Sequence, residues 1–386
     1  MGVRGSIRIV AATALVFTFA IGSQSLADTT PSGTAGLPYV ALGDSFASGL
    51  GLSPATGKPV AGCLQASGDY PHRVADSLGM TLTDVSCAGA VTANVTVKPQ
   101  KTRSGTAPPQ LPALSAKTRV VTITIGGNDI GFFAIATHCI ALSANGPVLS
   151  TGKSTCRSKY VTNGVDSLGG RISDTLPNGN GSGTNGLTAT FAAVKKAAPR
   201  AKVFVVGYPT ILPGAANTPA DGCFRATITG KDVSALSINN GLPFTTIDVS
   251  YLNSIEQSLD AATEKAAEAA GFTYVSALAA TAAHSACASP DQSYIQGVSL
   301  RSDARLNVTL STGALHPNAR GTAFMAGLIE AAITKAMPAK AASPAASSPS
   351  GFATSPLPWI AGGGAIVLLA IALLVWRRRR VSAEEQ

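Results

Sequence analysis

The chain has 386 residues, 45% of them hydrophobic and only 13% charged, which excludes a wholly disordered protein and leaves room for one large core or two modest ones. Net charge is +9, but six of the 29 basic residues and two of the 20 acidic ones sit at the chain ends, leaving 23 against 18, or +5. That mild balance, without a basic stripe interleaved with aromatics, argues against a nucleic-acid partner.

In chain order, the first element is a leader. Arg4 and Arg8 precede an apolar run, 9–21, and Ser25-Leu26-Ala27 is a small-x-small cleavage site, so residues 1–27 read as a secretory signal peptide. A short apolar strand follows at 38–42 and runs into Gly43-Asp44-Ser45. Helical spacing predicts a helix over 70–78. A Val- and Ile-rich strand at 120–125 runs into Gly126-Gly127-Asn128-Asp129. Residues 143–186 are rich in Gly, Ser and Asn and read as an irregular surface insertion. Helix 187–197, strand 202–207, helix 251–270, strand 272–275 and helix 318–336 complete the pattern. Strands that are apolar throughout are buried on both faces, and their alternation with helices predicts a parallel sheet covered by helices.

Beyond this domain, 28–336, the composition shifts. Residues 337–356 form a Pro/Ala/Ser spacer. Residues 357–376 carry no charge over a length that spans a bilayer, and Arg377 to Arg380 follow directly. This predicts a transmembrane helix, a cytoplasmic tail at 377–386 and a catalytic domain outside the cell. All six cysteines, Cys63, Cys87, Cys139, Cys156, Cys223 and Cys287, lie in the exported part. An even count in an oxidising compartment predicts three disulfides, with 15 possible connectivities. No CxxC pair is present, so zinc is disfavoured.

Four short stretches carry chemistry. Ser45 follows a strand and a permissive glycine, as a displayed nucleophile must; alone it is equally a turn serine. Gly89 in "VSCAGAVT" offers an unobstructed N–H, or an ordinary tight turn. Asn128 offers a side-chain amide at a strand end, or a turn residue tolerating left-handed angles. His316 in "GALHPNARG" lies on a loop before the last helix; alone it is a solvated histidine.

Together and in this order, "GDSFASG", Gly89, "GGND" and "HP" resemble the four blocks of the GDSL/SGNH hydrolases, over essentially residues 37–336. The resemblance implies a three-layer α/β/α flavodoxin-like fold and ester hydrolysis without cofactor or metal by a monomeric serine esterase or lipase. By position, Ser45 is the nucleophile, His316 the general base, and the Ser45 and Gly89 main-chain N–H groups with the Asn128 side chain form the oxyanion hole. Asp44 and Asp129 are expected to organise turns. The family-like disulfide pattern is consecutive: Cys63–Cys87, Cys139–Cys156 and Cys223–Cys287. The secreted setting is most similar to actinobacterial members.

One position departs from the pattern. The family's acid, three residues before the histidine, is replaced by Gly313. Relatives that use a main-chain carbonyl imply a Ser–His dyad, here with the Gly313 carbonyl orienting His316. Asp291 or Asp303 is the rival acid. The glycine also keeps a second reading open, a weakly active or inactive domain that binds a glycan or acyl surface. A narrower reading is the removal of acyl groups from lipids or of acetyl groups from cell-wall sugars. Residues 46–62 and 130–186 are expected to shape the pocket.

Overall fold

The computed structural model describes residues 33–338 apart from 182–184, 227–236 and 303–307. Five strands form a parallel sheet: β1 (Pro38–Gly43), β2 (Thr81–Asp84), β3 (Val120–Thr124), β4 (Lys202–Val206) and β5 (Thr273–Val275), in the order β5-β4-β3-β1-β2. This is the flavodoxin-like doubly wound order, in which the strand sequence reverses between β1 and β3. The predicted α/β class and its layered arrangement are therefore correct.

Two apolar cores separate cleanly by strand alternation. Val40, Leu42, Val121, Ile123, Val203 and Val205 face one core with α2 (Gly186–Ala197) and α3 (Thr246–Ala269). Tyr39, Ala41, Val120, Phe204 and Val206 face the other with α1 (Tyr70–Leu78) and α4 (Ala319–Ala336). Consecutive strand residues point to opposite faces, so an all-apolar strand feeds both layers.

The helix limits follow from caps. Asp69 caps α1, and Gly79 ends it in the left-handed region. The Thr245 side chain accepts from the Asp248 N–H, so α3 starts five residues before the predicted limit. Asn318 is the cap of α4 rather than its first residue.

Two expectations need correcting. Strand β2, "TLTD", was not predicted, because it is a polar, half-exposed edge strand without an apolar run. The segment 143–186 is irregular but not a surface insertion, since Val148, Tyr160, Leu168, Ile172 and Leu176 are buried in the same core as Phe191. Among the described residues no helix is long and apolar enough to cross a membrane. The predicted leader, the predicted spacer from residue 339 onward and the apolar stretch 357–376 lie outside the described residues.

Candidate active site

In doubly wound sheets, ligand sites form at the carboxyl ends of strands where the strand order reverses. Here that is the gap between β1 and β3, and the predicted site residues meet there. Strand β1 ends at Gly43, whose φ is +137°; a Cβ there would stand 2.5 Å from the Thr124 carbonyl oxygen, so only glycine fits. The Gln110 side chain clamps both sides of Gly43, accepting from its N–H at 2.7 Å and donating to its carbonyl at 2.8 Å. The chain then reverses around Asp44, whose Oδ1 accepts from the Phe46 N–H at 3.0 Å. That turn presents Ser45.

Ser45 Oγ lies 2.7 Å from His316 Nε2, and His316 Nδ1 lies 2.9 Å from the Ala314 carbonyl. A carbonyl can only accept, so Nδ1 carries the proton and the Nε2 lone pair faces the serine hydroxyl. Burial pushes the His316 pKa down to about 4, against the opposing pull of the Ala314 carbonyl. The resting imidazole is therefore neutral at ordinary pH.

The orienting carbonyl is thus Ala314 and not Gly313. The Gly313 carbonyl is already taken, accepting the His316 main-chain N–H at 3.0 Å to close a turn. Leu315 in that turn has φ +61°, and the resulting reversal leaves the Ala314 carbonyl under the ring. Gly313 is required for another reason: a Cβ would meet Gly51 Cα at 2.8 Å, where the serine loop and the histidine loop touch.

Among the described residues His316 has no hydrogen-bonded carboxylate partner. Asp291 is exposed, with its side chain bonded to Gln292, and Asp303 lies outside the described residues.

Three donors belong to residues that line the same cavity. The main-chain N–H groups of Ser45 and Gly89 have no acceptor among the described residues. Asn128 Nδ2 gives one hydrogen to the Ala90 carbonyl at 3.1 Å and keeps the other. Ser45, Gly89, Asn128 and His316 all line one cavity. The Gly89 loop is fixed by the Cys63–Cys87 disulfide and by Cys87 N–H donating to the Gly43 carbonyl at 3.0 Å. Asp129 accepts from the Thr92 N–H at 3.1 Å and from the Thr92 hydroxyl at 2.5 Å, tying the Asn128 block to the Gly89 loop. Burial raises its carboxyl to about 6, with the Thr92 bonds opposing. Asp44 and Asp129 thus hold turns, as expected. The other two disulfides are Cys139–Cys156 and Cys223–Cys287.

The sequence reading missed Tyr208. Its hydroxyl accepts from the Gly127 N–H at 2.8 Å and donates to Asp44 at 2.6 Å, so one group joins the serine turn to the Asn128 block. Burial raises Asp44 to about 7, with the Tyr208 bond opposing. Phe46 packs edge-on against Tyr208 and lies 4.6 Å from the His316 ring centroid. The available signal was position: Tyr208 follows β4 at the same sheet edge as Ser45 and Asn128.

The cavity holds about 270 Å³ and is walled by Phe46, Phe132, Phe133, Ile211, Leu259 and Leu278. The first three lie in the segments expected to shape it; Ile211 and Leu278 come from the loops after β4 and β5, and Leu259 from the middle of α3. Glu256 also reaches the cavity lining, where its carboxylate accepts from the Ile211 and Leu212 N–H groups, each at 3.1 Å. Burial pushes it up to about 8.

A doubly wound α/β fold with a Ser–His pair over an apolar cavity defines a class of hydrolytic architecture. Within it, the chain belongs to the GDSL-like lipase/acylhydrolase family, which it matches over residues 41–324. It is 35% identical to Lipase 2 of Streptomyces coelicolor over 323 residues, 83% of this chain and 94% of that protein. It is 30% identical to an esterase of Streptomyces scabiei, over 78% of this chain and 88% of that one. The crystal structure of phospholipase A1 from Streptomyces albidoflavus shares the fold, with a TM-score of 0.52 at 24% identity, covering 77% of this chain and 99% of that one. The protein is a carboxylic ester hydrolase.

Proposed function

We propose that the chain hydrolyses acyl esters through a Ser45–His316 dyad and an acyl-enzyme, outside the cell and tethered to its membrane. The observation that carries this reading is the 2.7 Å contact between Ser45 Oγ and His316 Nε2, with Nδ1 held by a carbonyl. His316 takes the Ser45 proton as Oγ attacks the ester carbonyl, then returns it to the leaving alcohol. The Ser45 and Gly89 N–H groups and the free Asn128 amide hydrogen hold the oxyanion. Water, activated by the same histidine, releases the acid. The apolar cavity takes the acyl chain, which favours lipid or fatty esters over acetylated sugars. The experiment is labelling of the full chain with a fluorophosphonate probe: the adduct forms on Ser45, and an adduct elsewhere, or none, overturns the dyad.

Asn128→Ala is expected to lower turnover by ~10²–10³, the usual cost of one oxyanion donor. The Michaelis constant should hardly move, because the donor acts on charge that develops only in the transition state. A loss confined to the Michaelis constant contradicts the role.

The tether rests on the charge-free run 357–376 and the four arginines after it. The full chain should sediment with membranes, while a chain ending at Ala336 should stay soluble and active. Intact full-length protein released into the medium overturns the tether.

A further inference from the structure

Away from the cavity, Asp69, His72 and Asp84 bring three potential ligand atoms within 4.8 Å of one another. None of the three lines the catalytic cavity. Both carboxylates are buried, with side-chain exposures of 0% and 3%, and His72 is the partly exposed member at 29%. Each carboxylate already has one oxygen fixed. Asp69 Oδ1 caps α1, accepting from the His72 N–H at 2.9 Å and lying 2.7 Å from His72 Nδ1. Asp84 Oδ1 accepts from the Ser86 N–H at 2.9 Å and the Ser86 hydroxyl at 2.7 Å.

The other oxygens, Asp69 Oδ2 and Asp84 Oδ2, are buried and have no hydrogen-bond partner among the described residues. A buried carboxylate oxygen without a partner is costly, and a protonated His72, 2.7 Å from Asp69 and 3.9 Å from Asp84, could bring one positive charge to two carboxylates, which leaves one unbalanced. We propose that these three residues bind one divalent cation of the zinc type.

The donor set selects the ion. Two carboxylate oxygens and an imidazole nitrogen suit Zn²⁺, which takes both at about 2.0–2.2 Å. Calcium needs six to eight oxygens, and this cluster has too few. Two carboxylates match the ion's double charge. His72 Nδ1 and Asp84 Oδ2 stand 3.9 Å apart. A tetrahedral ion wants its donors about 3.3 Å apart; on binding, Nδ1 releases to solvent the proton it shares with Asp69 Oδ1, and a turn of the partly exposed imidazole closes the gap. The Ser86 bonds and the α1 cap orient the carboxylates from behind, as outer groups do at metal sites. Solvent reaches the site past His72 and supplies the fourth ligand.

The role is structural. Asp84 ends β2, two residues before Ser86 and three before Cys87 of the Gly89 loop. Asp69 starts α1 and lies against the serine loop, where a Cβ on Gly49 would stand 2.7 Å from Asp69 Cβ. A cation here pins together the two loops that bear Ser45 and Gly89.

The test uses the full chain after treatment with a chelator. Equilibrium dialysis with micromolar ZnCl₂ should load one more ion per wild-type chain than per Asp84→Asn or His72→Gln chain. Saturating Zn²⁺ should raise the wild-type Tm by about 5 °C, the shift expected when an ion at ~100 times its Kd binds only the folded state. Neither variant should show that rise. The amide that Asp84→Asn introduces can itself donate to Asp69, so this variant removes the ion without orphaning an oxygen; if it still fails to fold, His72→Gln carries the test. Equal loading of wild type and variants means that zinc sits elsewhere, and overturns the proposal. So does a wild-type Tm indifferent to zinc together with a more stable Asp84→Asn, which assigns the positive partner to a shared proton.

Discussion

Ser45→Ala should remove essentially all hydrolysis of a short-chain nitrophenyl ester, about a 10⁶-fold loss in turnover by the precedent of a serine protease stripped of its nucleophile. The fold should survive. Among the described residues the Ser45 hydroxyl makes one hydrogen bond, to His316. The contacts that shape its turn come from the backbone: Leu50 N–H to the Ser45 carbonyl at 3.1 Å and Ser48 N–H to the Asp44 carbonyl at 3.0 Å. Losing one hydrogen bond costs about 1 kcal/mol, or about 2–4 °C in Tm. The readout is therefore split: activity and fluorophosphonate labelling vanish while the thermal transition hardly moves. Activity in the variant near the wild-type level defeats the mechanism, because no other hydroxyl is within reach of His316 Nε2 among the described residues. A residual rate ~10³–10⁴ above water is still expected, since the oxyanion donors and the cavity remain.

What could be read from the chain alone followed from burial. Strands β1, β3 and β4 are mostly apolar because both faces are covered, and such runs stand out. Their carboxyl ends were therefore legible, and with them Ser45 and Asn128. Strand β2 was illegible because an edge strand with one wet face needs no apolar run, and "TLTD" has none. Tyr208 was overlooked because a tyrosine after an apolar strand reads as core, and only the fold aims its hydroxyl at Asp44 and Gly127. The choice between the Gly313 and Ala314 carbonyls turns on one left-handed residue, Leu315, where a leucine gives no hint of positive φ. The Asp69–His72–Asp84 cluster was hidden for a similar reason. Asp69 and Asp84 stand fifteen residues apart in the chain, and only the packing of α1 beside β2 makes them neighbours.

His316→Ala should cost as much as the loss of Ser45, whereas Asp291→Asn and Asp303→Asn should keep most of the activity. A triad carboxylate has two effects: it fixes the imidazole tautomer and it stabilises the imidazolium formed during reaction. Replacing the acid by an amide in a serine protease costs ~10⁴, attributed to the wrong tautomer. The Ala314 carbonyl avoids that failure, since it can only accept and so keeps the proton on Nδ1. It does not supply the charge, and that absence is measurable. A carboxylate beside the ring would favour the imidazolium and raise its pKa. With a carbonyl alone, burial dominates and holds the pKa down at about 4. The sign is fixed by the role: the general base must be neutral to accept the Ser45 proton, so kcat/KM falls as pH drops through that value and is flat above it. The acid limb of kcat/KM, which reports the free enzyme, should therefore lie near pH 4 in the wild type and stay there in both Asn variants. A limb near 7 in the wild type, falling on Asp303→Asn together with a loss approaching 10⁴, would assign a carboxylate to His316 and replace the dyad by a triad. Both acids precede the histidine in the same loop-rich stretch, but Asp291 turns its side chain to Gln292 and its backbone carbonyl to Arg320. That leaves Asp303→Asn as the decisive variant, and an unchanged profile in it completes the case for the dyad.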